Sequence, residues 1–193
     1  LEEKRDIKVL KAKSDPDEAQ LLAQAKGGDK TAFGRLVKLH QRRVLRMVVG
    51  MTGDIDVAMD IVQESFIRAY HALDRFEEGQ PFYPWLSTIA TNLTLNHLRK
   101  SKRQISLDDS YREQADPAPD PLEKLQTEEN QRRFMDAVQK LPDEYRTVFV
   151  LRTFEQLSYD EIAARLKISM GTVDSRLFRA RRRLMEELKD LLE

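Results

Sequence analysis

Apolar residues recur every third or fourth position in long runs along the chain, and the runs break at Gly, Pro and Asp, which predicts helices separated by turns. Residues 1–16 are charged and end in Ser14-Asp15-Pro16. They read as a frayed arm leading into a short helix from about Asp17 to Lys26, stopped by Gly27-Gly28. Asp29 is placed to cap a second helix carrying Phe33, Leu36, Val37, Val44, Leu45 and Val48, ending near Gly53. Asp54 opens a third, with Ile55, Ala58, Ile61, Val62, Phe66, Ala69, Tyr70 and Leu73 on one face. Pro81 suits the first turn of a fourth, which runs through Trp85, Leu86, Ile89, Leu93 and Leu98.

Pro117, Pro119 and Pro121 then fall in or beside a stretch with few large apolar residues, which predicts a linker. A further helix runs to about Leu141, breaks at Pro142 and resumes from Asp143 to about Glu155. Ser158-Tyr159-Asp160-Glu161 fits a capping box ahead of Ile162, Ala163 and Leu166. Lys167-Ile168-Ser169 makes a tight turn, and Gly171-Thr172-Val173 begins a long helix with Leu177, Ala180 and Leu184 inward. No segment has a β-period. The expected fold is all-α: two small helical domains joined by a flexible acidic linker, the C-terminal one containing a helix-turn-helix. The divisions are an arm at 1–16, a first domain at 17–103, the linker at 104–126 and a second domain at 127–193.

Composition narrows the function classes. With 193 residues, 40% hydrophobic and 34% charged, there is apolar material for compact cores under a charged surface. The absence of cysteine and the three scattered histidines leave neither a disulfide framework nor a zinc site, so no metal or cofactor is expected. No run approaches the roughly 20 apolar residues that span a bilayer, and the N-terminus has no apolar signal core. A cytoplasmic protein is expected. The chain opens on Leu1 rather than Met and reads as a fragment or a processed form.

Net charge is uninformative, because 33 Lys plus Arg balance 33 Asp plus Glu; the distribution matters. His97, Arg99, Lys100, Lys102 and Arg103 form one basic cluster; Arg176, Arg179, Arg181, Arg182 and Arg183 form another, with an acidic stretch between them. An Arg-rich helix alone is as readily a solvated face. Preceded by a capped helix and a tight turn, it fits the second helix of a helix-turn-helix lying in a major groove. Thr172, Asp174, Ser175, Arg176 and Arg179 are then candidate base readers, and Arg181, Arg182 and Arg183 phosphate contacts. Asp174 has two readings, an acceptor for cytosine N4 or a charge complementing the helix N-terminus.

Asp56, Asp60 and Glu64 stand at i, i+4 and i+8 with Gln63 beside them. That stripe is either a solvated face or a docking surface for a basic partner. Phe82, Tyr83 and Trp85 are followed by Ser87, Thr88, Thr91, Asn92 and Asn96, then by the first basic cluster. Aromatics, hydroxyls and amides, then cations suit unpaired bases, although Trp85 reads first as core. Opening duplex forfeits about 1.4 kcal/mol of stacking per step and one captured base returns about 1 to 3. A small site therefore opens a bubble only with a larger partner.

Asp60-Ile61-Val62-Gln63-Glu64-Ser65-Phe66-Ile67-Arg68-Ala69-Tyr70, Phe82-Tyr83-Pro84-Trp85-Leu86-Ser87-Thr88-Ile89-Ala90, Leu157-Ser158-Tyr159-Asp160-Glu161-Ile162-Ala163 and Gly171-Thr172-Val173-Asp174-Ser175-Arg176 closely resemble motifs of the extracytoplasmic-function sigma factors. They match in order from about Asp17 to Leu192. The resemblance implies a transcription initiation factor, not an enzyme, that binds core RNA polymerase and promoter DNA and is held by an anti-sigma factor. It implies that Asp56, Asp60, Gln63 and Glu64 dock on the beta-prime clamp helices. Phe76, Phe82, Tyr83 and Asn92 would take a flipped base of the minus-ten element, and Asn96, Arg99, Lys100, Lys102 and Arg103 the adjoining duplex. Thr172, Asp174, Ser175, Arg176, Arg179 and Arg182 would meet the minus-thirty-five element while the domain rests on the beta flap. The chain departs from many relatives at Glu77 and Asp174, where they carry basic residues.

A conventional helix-turn-helix regulator is the rival binding module; it calls for a ligand pocket or dimer face in the N-terminal half, and the order of residues 82–103 speaks against it. A helical nuclease is the rival enzyme. Only Asp56, Asp60 and Glu64 could serve it, and a single helix face gives poor metal geometry.

Overall fold

The computed structural model describes residues 16–102 and 128–192. The arm before Pro16, the linker at 104–126 and Arg103 lie outside the described residues. Those described form α1 (Pro16–Lys26), α2 (Lys30–Thr52), α3 (Ile55–His71), a 3-10 turn (Leu73–Arg75), α4 (Phe82–Lys102), α5 (Glu128–Lys140), α6 (Asp143–Thr153), α7 (Tyr159–Leu166), α8 (Met170–Glu187) and α9 (Lys189–Leu192).

The starts follow local chemistry. Asp29 accepts from the Thr31 and Ala32 amides at 2.8 and 3.1 Å, and Asp54 accepts from Asp56 and Val57, so each satisfies amides that a first turn leaves open. Gly53 ends α2 at φ 76° and returns its N–H to Val49 O, the left-handed cap that glycine adopts without a Cβ penalty. Ser158 and Glu161 form the reciprocal capping box of α7. Lys167 then takes the left-handed turn at φ 56°, and Ser169 caps α8 through the Thr172 amide. One start differs from expectation. Pro81 precedes α4, Pro84 occupies its first turn, and the Phe82 amide donates to the Glu18 carboxylate of α1 at 2.9 Å, so this cap is tertiary.

Helix α2 is the axis of the N-terminal half, packed by α1, α3 and α4 around Leu36, Val44, Met47, Phe66, Phe82 and Leu86. In the C-terminal half α6 lies on α8, with α5 and α7 beside them, around Phe134, Val148, Phe149, Ile162, Val173 and Leu177. Among the described residues no helix is long and apolar enough to cross a membrane.

Although the expectation treats the halves as separate bodies, here α2 packs directly on α6. Gly50 permits the approach: a Cβ there would stand 3.2 and 3.3 Å from the two Val150 methyl groups. Arg146, whose side chain is 7% exposed, donates to Met51 O at the end of α2 and to Gln139 O, Leu141 O and the Asp143 carboxylate. One guanidinium thus satisfies carbonyls from both halves, which a buried charge requires.

Candidate nucleic-acid interface

The 3-10 turn and the first turn of α4 bring Phe76, Phe82 and Trp85 together. Their ring centroids are 5.9 Å apart for Phe76 and Phe82, 5.1 Å for Phe76 and Trp85, and 5.7 Å for Phe82 and Trp85, edge-on or tilted. Such pairs add about 0.5 to 1.5 kcal/mol beyond area burial. Phe82 is wholly buried, with Phe33 and His40 on its other sides. Trp85 is half-buried. His40 Nε2 stands 3.2 Å from the Glu18 carboxylate; burial pulls the imidazole's pKa down, against the pull of Glu18.

Tyr83 is 6% exposed. Its hydroxyl donates to Glu155, two residues past the end of α6, over 2.7 Å, and the Arg43 guanidinium lies 3.7 Å from its ring centroid. Burial first, then the bond to Glu155, raises its pKa. Of the polar residues that follow, Ser87, Thr91 and Thr94 are buried, with Ser87 bonding Pro84 O, Thr91 bonding Ser87 O and Thr94 bonding Ala90 O. Their hydroxyls are spent on the backbone of α4; Ser87 and Thr91 belong to the polar set read from the sequence, and Thr94 does not. Asn92, Asn96, Arg99 and Lys100 are exposed along the outer side of the helix, and Lys102 closes it.

On α3, Asp56 and Asp60 are exposed, and Glu64 pairs with Arg68 over one turn at 2.7 Å. Gln63 lines a groove of about 770 Å³ between α2 and α3, walled by Val37, Leu45, Met59, Phe66, Ile67 and Tyr70. Met59 is 50% and Ile67 45% exposed. Sequence reasoning found the acidic stripe and missed the groove. Its signal was an excess of apolar residues on α3, with Met59 and Ile67 eight apart and off the main apolar face. Among the described residues no His, Cys, Asp and Glu cluster could hold a metal.

In the helix-turn-helix, Val173, Leu177, Ala180 and Leu184 face inward. Thr172 is engaged with Ser169 through both its amide and its hydroxyl, and Ser175 bonds Thr172 O. Asp174 is exposed in the first turn. Arg176 is held by Glu144 at 2.8 Å, Arg179 reaches the Tyr145 hydroxyl at 3.4 Å, and Arg182 pairs with Glu186 along the helix. Thus α6 orients two of the six candidate duplex contacts, Arg176 and Arg179, a role not visible in spacing. The basic end of α4 and this helix meet at a pocket of about 260 Å³ lined by Leu95, Leu98, Arg99, Ile168 and Arg176.

Comparison with known proteins places these elements in two family models. Residues 36–104 match Sigma-70 region 2, and residues 131–184 match Sigma-70, region 4. The RNA polymerase sigma-H factor of Pseudomonas aeruginosa is 36% identical over 90% of this chain and 94% of its own length. The ECF RNA polymerase sigma factor SigW of Bacillus subtilis is 36% identical over 88% of this chain and 96% of its own. Among solved structures, sigma factor RpoE of Bartonella quintana, in complex with the anti-sigma factor NepR, superposes with a TM-score of 0.60 at 28% identity, covering 81% of this chain and 96% of that one. CnrH, in complex with the cytosolic domain of CnrY, superposes with a TM-score of 0.59 at 28% identity, covering 90% of this chain and 98% of that one.

Proposed function

The chain belongs to the sigma-70 family, among its extracytoplasmic-function members, and from that premise we propose how its surfaces divide the work of initiation. A member binds core RNA polymerase, directs it to promoters and recognises the minus-ten and minus-thirty-five elements. In our reading, residues 17–103 form the docking and melting domain and residues 127–193 the upstream-reading domain. The chemistry of RNA synthesis stays with the polymerase, and this factor, acting in the cytoplasm, contributes binding energy and no catalysis. An anti-sigma factor holds it in reserve, as the anti-sigma factor NepR is bound to the similar solved sigma factor RpoE from Bartonella quintana.

The observation that carries the docking assignment is the exposed apolar groove beside an acidic stripe on α3. An apolar cavity with charge along its lip suits a partner helix that is apolar on one side and basic on the other. Asp56, Asp60, Gln63 and Glu64 would make the polar rim. Replacing Asp60 and Glu64 together with Lys is expected to weaken core-polymerase binding at least about tenfold, or about 1.4 kcal/mol, with helix content unchanged. A fluorescence titration that gives the unsubstituted affinity would reject the docking role.

For the minus-ten element, Asn92 and the exposed residues Asn96, Arg99 and Lys100 offer edge and phosphate contacts along α4, with Lys102 and Arg103 next in the sequence assigned to the same duplex by their charge alone. Phe76 and Phe82 are fully packed and act as the floor of the site, whereas Tyr83 can meet a base once its cover moves. For the minus-thirty-five element, Arg176 is the principal reader, pre-oriented by Glu144, with Thr172, Asp174, Ser175, Arg179 and Arg182 around it. Arg176→Ala should cut run-off transcription about tenfold, the worth of one good Arg–guanine pair at about 1 to 3 kcal/mol. A promoter that lacks the upstream element should lose little. Equal losses on both templates would point to a structural effect. The whole reading is tested by adding the purified chain to core polymerase on genomic fragments: promoter-selective transcripts are the expected result.

A further inference from the structure

The first turn of a helix leaves its amides without intrahelical partners, and Pro81, the residue before α4, has no side-chain acceptor to offer them. The acceptor comes instead from α1. One oxygen of the Glu18 carboxylate takes the Phe82 N–H at 2.9 Å, and the other stands 3.2 Å from His40 Nε2 of α2. Both side chains are largely enclosed, Glu18 at 15% and His40 at 12% exposed. The His40 ring in turn lies 5.5 Å from the ring of Phe82 and 5.9 Å from that of Tyr83. One carboxylate therefore holds the first amide of α4 directly and its first two aromatic side chains through an imidazole.

The same helix follows the loop that leads into α4. In the last turn of α1, Lys26 stands 3.9 Å from the Glu78 carboxylate, and α1 also packs on the 3-10 turn that precedes the loop. The loop turns at Gly79, φ 78°, and its own backbone bond, from Gln80 N–H to Glu77 O, is long at 3.4 Å. A segment with little internal hydrogen bonding takes its position from its ends. Glu78 is 90% exposed, so its ion pair adds little, and the firm end is the one at Glu18. Leu21, Leu22 and Ala25 already bury α1 against the body. Glu18 adds to that packing a bond to an ionised acceptor, which sets an angle as well as a distance.

We propose that Glu18 is a positioning residue for base capture: by fixing the Phe82 amide it sets how the loop at 76–81 enters α4, and thereby the shape of the site that takes an unpaired base, without itself meeting DNA. The proposal rests on the reading of Phe76, Phe82, Tyr83 and Asn92 as the minus-ten site. It makes α1 part of that site, although the match to Sigma-70 region 2 begins at residue 36. A recognition site works when its groups are held within about 0.5 Å of the productive geometry, and a slack loop end removes that tolerance.

Two substitutions that remove the charge alike separate the cap from everything else Glu18 does. Glu18→Gln keeps an acceptor for the Phe82 amide, and its nitrogen can donate to an imidazole that burial keeps neutral. Glu18→Met keeps the length of the side chain and has no strong acceptor. Each full-length variant is joined to core polymerase and titrated at a temperature where circular dichroism shows it folded. The probe is fork-junction DNA from a promoter found by run-off transcription, with the non-template strand unpaired across the minus-ten element. The same probe with an abasic site at each unpaired position in turn gives the discrimination, the ratio of the two affinities. The unsubstituted factor should discriminate most at one position. Glu18→Met should lower that ratio about tenfold, within the worth of one stacked base, and Glu18→Gln should stay within about twofold. Core-polymerase binding should be the same in all three.

A ratio that Glu18→Met leaves intact, whatever happens to its melting temperature, would make Glu18 a brace and overturn the proposal. So would an equal loss in Glu18→Gln, which would trace the effect to charge beside His40 instead of the cap. Should Glu18→Met fail to fold, Glu18→Asp, which keeps the charge but falls one methylene short of the amide, takes its place with the same expected loss. An unsubstituted holoenzyme that discriminates at no unpaired position would overturn the minus-ten reading itself, and the proposal with it.

Discussion

Phe82→Ala is expected to lower the unfolding free energy by about 4 kcal/mol, within the range of roughly 3 to 5 seen when a packed aromatic ring is truncated. The ring is 0% exposed and touches the rings of Phe33, His40, Phe76 and Trp85 at centroid separations of 6.5, 5.5, 5.9 and 5.7 Å. Neighbours drawn from α2, the 3-10 turn and α4 cannot all collapse into the vacated space, so the cavity cost adds to the lost transfer energy. Urea unfolding followed by circular dichroism measures it. The number separates two roles for one residue: a side chain kept for stacking on a base would be removed at small cost to stability, and a loss under about 1 kcal/mol would move Phe82 from the floor of the site to its surface. Transcription should fall with the fraction folded and recover on cooling toward the temperature of maximum stability.

Arg146→Met should cost about 3 kcal/mol. Methionine keeps most of the buried stem but returns none of the bonds to Met51 O, Gln139 O, Leu141 O and the Asp143 carboxylate, which range from 2.6 to 3.0 Å. A buried acceptor stripped of its donor costs about 1 to 3 kcal/mol, and some of the three carbonyls will be reached by water. Burial pulls the guanidinium's pKa down while Asp143 supports its charge. Because Met51 ends α2 and Gln139 and Leu141 belong to the other half, hydrogen exchange should rise on both sides of the contact. Faster exchange confined to α5 and α6 would show that Arg146 serves its own half alone, and a stability loss under about 1 kcal/mol would show that its bonds are dispensable.

Much of the fold is readable residue by residue. Asp29, Asp54, Ser158 and Ser169 cap the helices they precede in the chain, and Gly53 ends one. Each acts within three or four residues, where chain connectivity alone brings donor and acceptor together. The inward stripes of α3 and α8 are readable for a similar reason, since helical periodicity places them on one face before any partner is known. The short α9 and the 3-10 turn carry no comparable stripe. The start of α4 is displaced from Pro81 because its cap comes from Glu18, distant in sequence.

The candidate site divides in the same way. Asp60, Asn92 and Arg99 are polar residues exposed on helices, as their patterns suggested. Phe82 and Tyr83 stand side by side in the sequence, yet one is enclosed by its own half of the molecule and the other is covered by Glu155 from beyond the linker. Arg176 and Arg179 look alike on a helical wheel, and only the position of α6 gives them Glu144 and Tyr145 as partners.

By itself, then, the order of residues determined the helices, their ends, the faces they turn inward and the family to which the chain belongs, because capping, periodicity and motif spacing are properties of short stretches. The tertiary structure alone decided which aromatics are out of reach, which arginines are pre-oriented and where a groove opens on α3. Those depend on surfaces far apart in the chain, and whether a side chain is available is set by whatever comes to lie against it.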